Sequence, residues 1–138
     1  MIREITEQDI PTVTNLLNEA FHKNITETQT KENFLNKQKD HNHLGYFIDD
    51  HLVGIAEVTI FSTFLGKEAV INNIVVKKEM QGKHIGSNLM KKIEEILQEK
   101  QVRKAYLLSK KERTIAHKLY EKFGYHKEED YAFLKRFS

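Results

Sequence analysis

The sequence predicts one domain of the α/β (α+β) class, a mixed, mostly antiparallel central sheet flanked by helices, in the order β-αα-βββ-α-β-α-β. Two observations carry that prediction. Apolar residues recur at helical spacing early in the chain, change to strand-like runs between Leu44 and Val76, and return to helical spacing from Ile85. The 138 residues also contain no repeat, no Pro/Gly/Ser-rich linker and no low-complexity tail. They therefore read as a single domain, residues 1–138, with one core.

Ile2 to Ile5 reads as a short strand. Asp9 is expected to cap the first helix, where Pro11 fits because first-turn N–H groups have no intrahelical acceptor. Val13, Leu16, Leu17, Ala20 and Phe21 follow the helical period. A polar connection, residues 22–26, leads to a weaker helix between Thr28 and Lys39, with Phe34 and Leu35 as its buried pair. Leu44–Ile48 and Leu52–Phe61 should pair antiparallel across an Asp49-Asp50 turn. After a connection containing Gly66, Ala69–Val76 reads as a central strand, apolar on both faces apart from Asn72 and Asn73, which alternate across the sheet. Ile85, Leu89, Ile93, Ile96 and Leu97 line one face of a helix running to about Glu99. A short strand (Ala105–Leu108), a helix (Thr114–Phe123) and a last strand (Tyr131–Phe137) complete the order.

Composition narrows the function. There is no cysteine, so disulfides, thiolate metal sites and acyl-cysteine intermediates are excluded. No apolar stretch approaches the roughly 20 residues that span a bilayer, and Met1-Ile2-Arg3-Glu4 lacks the apolar core of a signal peptide. A cytoplasmic location without membrane association is expected. Twenty-two basic residues against twenty acidic ones give a net charge of +2, which makes no electrostatic case for nucleic acid. His41 and His43 lie two apart on an extended segment with no further ligand in the pattern, so no metal is expected.

The most telling segment is Gln81-Gly82-Lys83-His84-Ile85-Gly86-Ser87. It follows the β-branched run Ile71–Val76 and opens the helical pattern. A short Gly-containing loop between strand and helix lets several backbone N–H groups face one anion, with the helix dipole adding positive charge. Lys78 and Lys83 supplement it. A second motif, Ala116-His117-Lys118-Leu119-Tyr120-Glu121-Lys122-Phe123-Gly124-Tyr125, reads as a helix closed by Gly124 at its C-terminus.

In this order and spacing the two motifs resemble the GCN5-related N-acetyltransferases. That family's loop runs Gln or Arg, two residues, Gly, one residue, then Gly or Ala. Gln81 and Gly86 match its ends, while His84 stands where the first glycine usually is. Histidine tolerates positive φ better than most L residues, so the loop can still close. The resemblance is tight over about Leu52 to Tyr125, and the first fifty residues agree in element order.

The resemblance implies acetyl transfer from acetyl-coenzyme A, without a metal, to the amine of a small molecule or peptide. It implies that Gln81, Gly82, Lys83, His84, Ile85, Gly86 and Ser87 hold the pyrophosphate. The backbone of Ile74, Val75 and Val76 would pair with the pantetheine arm, and Arg113 stands where many relatives carry an Asn near the coenzyme. Tyr120 is the candidate general acid, since a phenol can donate a proton to the departing thiolate. Glu57, among apolar residues, is the leading candidate for the base, with Glu68, a histidine or an ordered water as alternatives. An acyl-coenzyme A-binding module of the same fold without turnover is the second reading. An RNA-linked acceptor is a third, disfavoured by the charge balance. Exposed strand edges leave a homodimer open.

Overall fold

The computed structural model describes residues 1–37 and 39–137. Two compact units are distinguished, Met1–Leu108 and Ser109–Ser138. The first contains β1 (Ile2–Glu4), α1 (Ile10–Phe21), α2 (Glu27–Leu35), β2 (His41–Ile48), β3 (His51–Thr63), β4 (Gly66–Val76), α3 (Ile85–Glu99) and β5 (Lys104–Leu107). The second contains α4 (Thr114–Lys122). The expected fold class and element order hold through α4.

The five strands form one sheet in the order β1-β2-β3-β4-β5. Pairing is antiparallel except between β4 and β5. The β2–β3 hairpin turns on Asp49 and Asp50, both left-handed with φ of 49° and 63°. Two consecutive positive φ values match the twist of the flanking strands, and aspartate tolerates them.

Two one-residue slips interrupt the ladders. Phe47 pairs with Leu52 but Tyr46 with Gly54, which leaves Val53 as the extra residue in β3. Ile55 pairs with Val75 but Glu57 with Asn72, so Asn73 and Ile74 together oppose Ala56. Asn73 takes up the bulge in the left-handed region, at φ 51°.

The two faces of the sheet are covered by different helices. Ile5, Val13, Leu16, Phe47, Leu52, Ile55 and Val75 form a buried cluster on the α1 side, against which Leu17, Phe21 and Phe34 pack. The opposite face receives α3: Ile85, Leu89, Met90 and Ile93 are at most 2% exposed. Gly54 lies so close to α3 that an added Cβ would stand 3.0 Å from Ile85. The connection between α1 and α2 is fixed by side chains. Asn18 exchanges two hydrogen bonds of 2.9 Å with the backbone of Ile25. Thr26 and Gln29 form a reciprocal capping box at the start of α2, and the hydroxyls of Thr14 and Thr30 meet at 2.9 Å.

Two expectations need correction. Leu35 is exposed rather than buried, because α2 lays only Phe34 against the core. That helix ends at Leu35, and the longer span to Lys39 includes Gln38, which lies outside the described residues. The strand over Tyr131–Phe137 does not form; residues 131–137 have no regular structure. Alternating apolar residues make a strand only where a ladder takes up the backbone groups. Here Tyr131, Phe133 and Phe137 are each more than 85% exposed.

Gly45 tests the packing of the α1 side. An added Cβ there would lie within 2.8 Å of Ile5, Leu52 and Phe47 side-chain atoms at once. Gly45→Val should cost about 1–3 kcal/mol by overpacking, read as a lower denaturant midpoint with an unchanged slope.

Candidate active site

The phosphate-loop candidates follow β4 directly. A short 3₁₀ turn (Lys78–Met80) leads to Gln81, whose side chain donates to the Val76 carbonyl at 3.3 Å. Gly82 has φ 83° and His84 φ 63°, ψ 17°, and the α3 helix begins at Ile85. His84 thus takes the left-handed conformation that glycine would supply more cheaply. Its side chain makes no cap hydrogen bond. The first bond of the helix ladder runs from Asn88 N to His84 O, 3.0 Å. The N–H groups of Ile85, Gly86 and Ser87 therefore precede the intrahelical ladder, at the positive end of a 15-residue helix. Lys83 and His84 are exposed, while Ile85 is anchored in the core.

Ile74, Val75 and Val76 lie at the end of β4. Its parallel pairing with β5 ends at Ile71 opposite Leu107, so Ile74, Val75 and Val76 have no β5 partner. A hollow of about 220 Å³ between α1 and the end of β4 is lined by Leu16, Glu19, Ala20, Val75, Val76, Lys77, Lys78 and Gln81.

A larger cavity, about 490 Å³, opens on the α1/α2 side of the sheet. Its walls are largely apolar, with Ile5, Ile10, Val13, Leu17, Phe21 and Phe34 among them. Glu57 lies in its lining together with His41, His43 and Asn73. His43 is directly opposite Glu57 in the β2–β3 ladder, and His41 lies two residues along the same face. The Nε2 atoms of His41 and His43 both stand 3.1 Å from Glu57 Oε1. Their rings stack with centroids 4.1 Å apart. Asn73, re-aimed by its bulge, donates its amide to Glu57 Oε2.

Burial by itself would raise the Glu57 pKa. Hydrogen bonds from His43 and Asn73 outweigh it and hold the carboxyl below the usual carboxylate range. His41 is pushed below the ordinary imidazole value by burial and by its neighbour His43, against the pull of Glu57. Glu57 is therefore an anion at neutral pH and His41 a neutral ring. Glu68, an alternative base from the sequence, is committed elsewhere: it accepts from Arg103 at 2.5 Å and from the Tyr106 hydroxyl at 3.1 Å.

Within the second unit, Tyr120 lies on α4 and is 8% exposed. Burial raises its pKa, opposed by the charge of Arg113, so the phenol is protonated at neutral pH. Arg113 is the residue before α4, and its carbonyl accepts from His117 N. Gly124, at φ 90°, ends the helix as expected, and Tyr125 N returns to the Tyr120 carbonyl at 3.1 Å.

The meeting of His41 and His43 with Glu57 is what sequence reasoning missed. A two-residue turn alone would set His43 opposite Ala56 and put Glu57 on the other face. The extra Val53 shifts the register by one and brings His43 and Glu57 together. No local signature marks that bulge.

The family model of the GNAT acetyltransferases matches residues 10–125. The chain is 28% identical over 126 residues to a Bacillus subtilis protein assigned as a ribosomal protein bS18-alanine N-acetyltransferase, covering 89% of this chain and 78% of that one. A protein assigned as an acetyltransferase from Agrobacterium tumefaciens has the same fold, with a TM-score of 0.89 at 17% identity over 99% of both chains. So does a predicted acetyltransferase of Clostridium acetobutylicum solved with acetyl-CoA, at a TM-score of 0.81 and 15% identity over 98% of this chain and 95% of that one. The chain belongs to the GNAT family of acetyltransferases. It is an acetyl-CoA-dependent N-acetyltransferase with an amine as acceptor. No helix among the described residues is long and apolar enough to cross a membrane.

The left-handed His84 yields a direct check. An L residue in that region carries a cost of roughly 1–2 kcal/mol. His84→Gly should leave stability unchanged or raise it by up to about 1 kcal/mol, and His84→Val should lower it by about 1–2 kcal/mol. Equal stabilities for the three proteins in chemical denaturation would contradict the geometry.

Proposed function

We propose that the chain acetylates a primary amine borne on an apolar body, a peptide N-terminus or a small alkylamine, by direct attack on the acetyl-CoA thioester. The observation that carries this reading is the cavity, where apolar walls surround the Glu57 carboxylate with its two histidines. An ammonium group supplies the complementary charge, and the walls take up its carbon skeleton. The similarity to the Bacillus subtilis protein supports a peptide α-amine within that class.

In this reading Glu57 orients the ammonium and takes up its proton, directly or through His41. The freed nitrogen lone pair attacks the thioester carbonyl; a C–N bond forms and the C–S bond breaks. Tyr120 gives its hydroxyl proton to the departing sulfur, a role for which its protonated state suits it. Residues Gln81 to Ser87 hold the coenzyme pyrophosphate, and Arg113 is a further candidate contact to the coenzyme. The unpaired β4 edge at Ile74, Val75 and Val76 offers backbone groups to the pantetheine amides. No step needs a metal.

Acetyl-CoA or free coenzyme A at about 100 times its Kd should stabilise the fold by roughly 2.7 kcal/mol, and ATP should not. Tyr120→Phe should lower kcat about ten- to a thousand-fold while leaving that stabilisation in place. Coenzyme binding without turnover on any primary amine would favour the non-catalytic module instead. No stabilisation by either coenzyme form would remove the phosphate loop from the account.

A further inference from the structure

We propose that His41, His43 and Glu57 also form a binding site for one divalent transition-metal ion of the zinc type, and that the ion excludes the acceptor's ammonium group. The donor set is on adjacent strands, in fixed register, and partly buried. One ligand atom from each residue lies within 4.8 Å of the others, and both Nε2 atoms are 3.1 Å from the same carboxylate oxygen. Two ligands bonded to one zinc ion at about 2.1 Å are themselves roughly 3.0–3.4 Å apart. Both imidazole–carboxylate separations match that spacing, and the three ligand atoms converge on one point of the cavity wall.

The chemistry of the donors selects the ion. Two imidazoles and one carboxylate suit zinc, nickel or copper, whereas magnesium and calcium require oxygen ligands. Asn73 holds the second Glu57 oxygen, a contact that orients a metal-bound carboxylate. The cavity leaves coordination positions open for water.

Coordination requires each Nε2 to give up its proton, to its own Nδ1 or to solvent, and exchanges two N–H···O contacts for two nitrogen–metal bonds. His43 Nδ1 is buried without a hydrogen-bond partner, and the ring is held by packing against Phe34 and His41 alone on that side. The same orphan nitrogen leaves the metal-bound ring without the second hydrogen bond that tightens zinc histidines. Lys23 lines the cavity, and Lys37 acts on His41, so the local charge also opposes a cation. Together these point to a reversible site of moderate affinity rather than a permanent structural ion.

The test is calorimetric titration of ZnCl₂ into the full chain without coenzyme or amine, followed by the absorption of Co²⁺ as a second probe. One ion per chain is expected, with affinity at least tenfold weaker in Glu57→Gln and His43→Gln and unchanged in His126→Ala. Imidazole NMR of the unsubstituted chain gives a reading that does not depend on variant folding. Zinc should shift the Cε1–H signals of His41 and His43 and leave the other five histidines in place. No uptake, or uptake that perturbs other histidines, would overturn the site. Exclusion of the amine rests on the proposed acceptor role: zinc should raise the apparent KM for the amine and leave kcat unchanged. An unaltered KM in the presence of bound zinc would overturn that half alone. Since the binding arm uses the metal by itself, its failure leaves the acetyltransferase reading intact.

Discussion

Two one-residue slips in the central ladders govern what this sheet can do. The period of a strand is two, so any odd shift exchanges the faces. Val53 shifts β3 against β2, and the Asn73–Ile74 bulge shifts β4 against β3. Glu57 lies between the two slips. The first turns it toward His41 and His43 on the α1/α2 side, and the second gives it the amide of Asn73. Without the first slip the carboxylate would face the α3 side of the sheet, away from both histidines.

The same economy appears at the end of the sheet proposed to hold the coenzyme. The β4 strand leaves β5 after Ile71, which frees the edge at Ile74–Val76. Three residues in the left-handed region, Asn73, Gly82 and His84, lie within a dozen positions of one another. Asn73 re-aims its side chain there, and His84 opens the helix in a conformation that costs an L residue more than glycine. In the core beneath, Leu89, Met90 and Ile93 on α3 are wholly buried.

Much of this was legible in the sequence. The 3.6-residue spacing of Ile85, Leu89, Ile93 and Leu97 defined α3, and the Asp49-Asp50 turn defined the hairpin. The turn before α3 and the helix end at Gly124 were readable because glycine has few reasons to stand where it does. The cluster around Glu57 was not, since a bulge has no composition of its own and the register depends on counting across it. Asn72 and Asn73 read as alternating, whereas both are exposed and the bulge breaks their alternation. The terminal segment failed for the opposite reason. Tyr131, Phe133 and Phe137 have the spacing of a strand, but spacing alone supplies no hydrogen-bond partner.

The account stands on Glu57 being the group that receives the acceptor. The most direct measurement is acetyl-CoA-dependent thiol release on primary amines, including peptides with free N-termini, for the unsubstituted chain and Glu57→Gln, with coenzyme affinity measured beside it. Loss of at least about a hundredfold in kcat/KM with unchanged coenzyme affinity is the predicted result. Equal turnover by the two proteins would contradict it and return Glu57 to a purely structural place in the sheet.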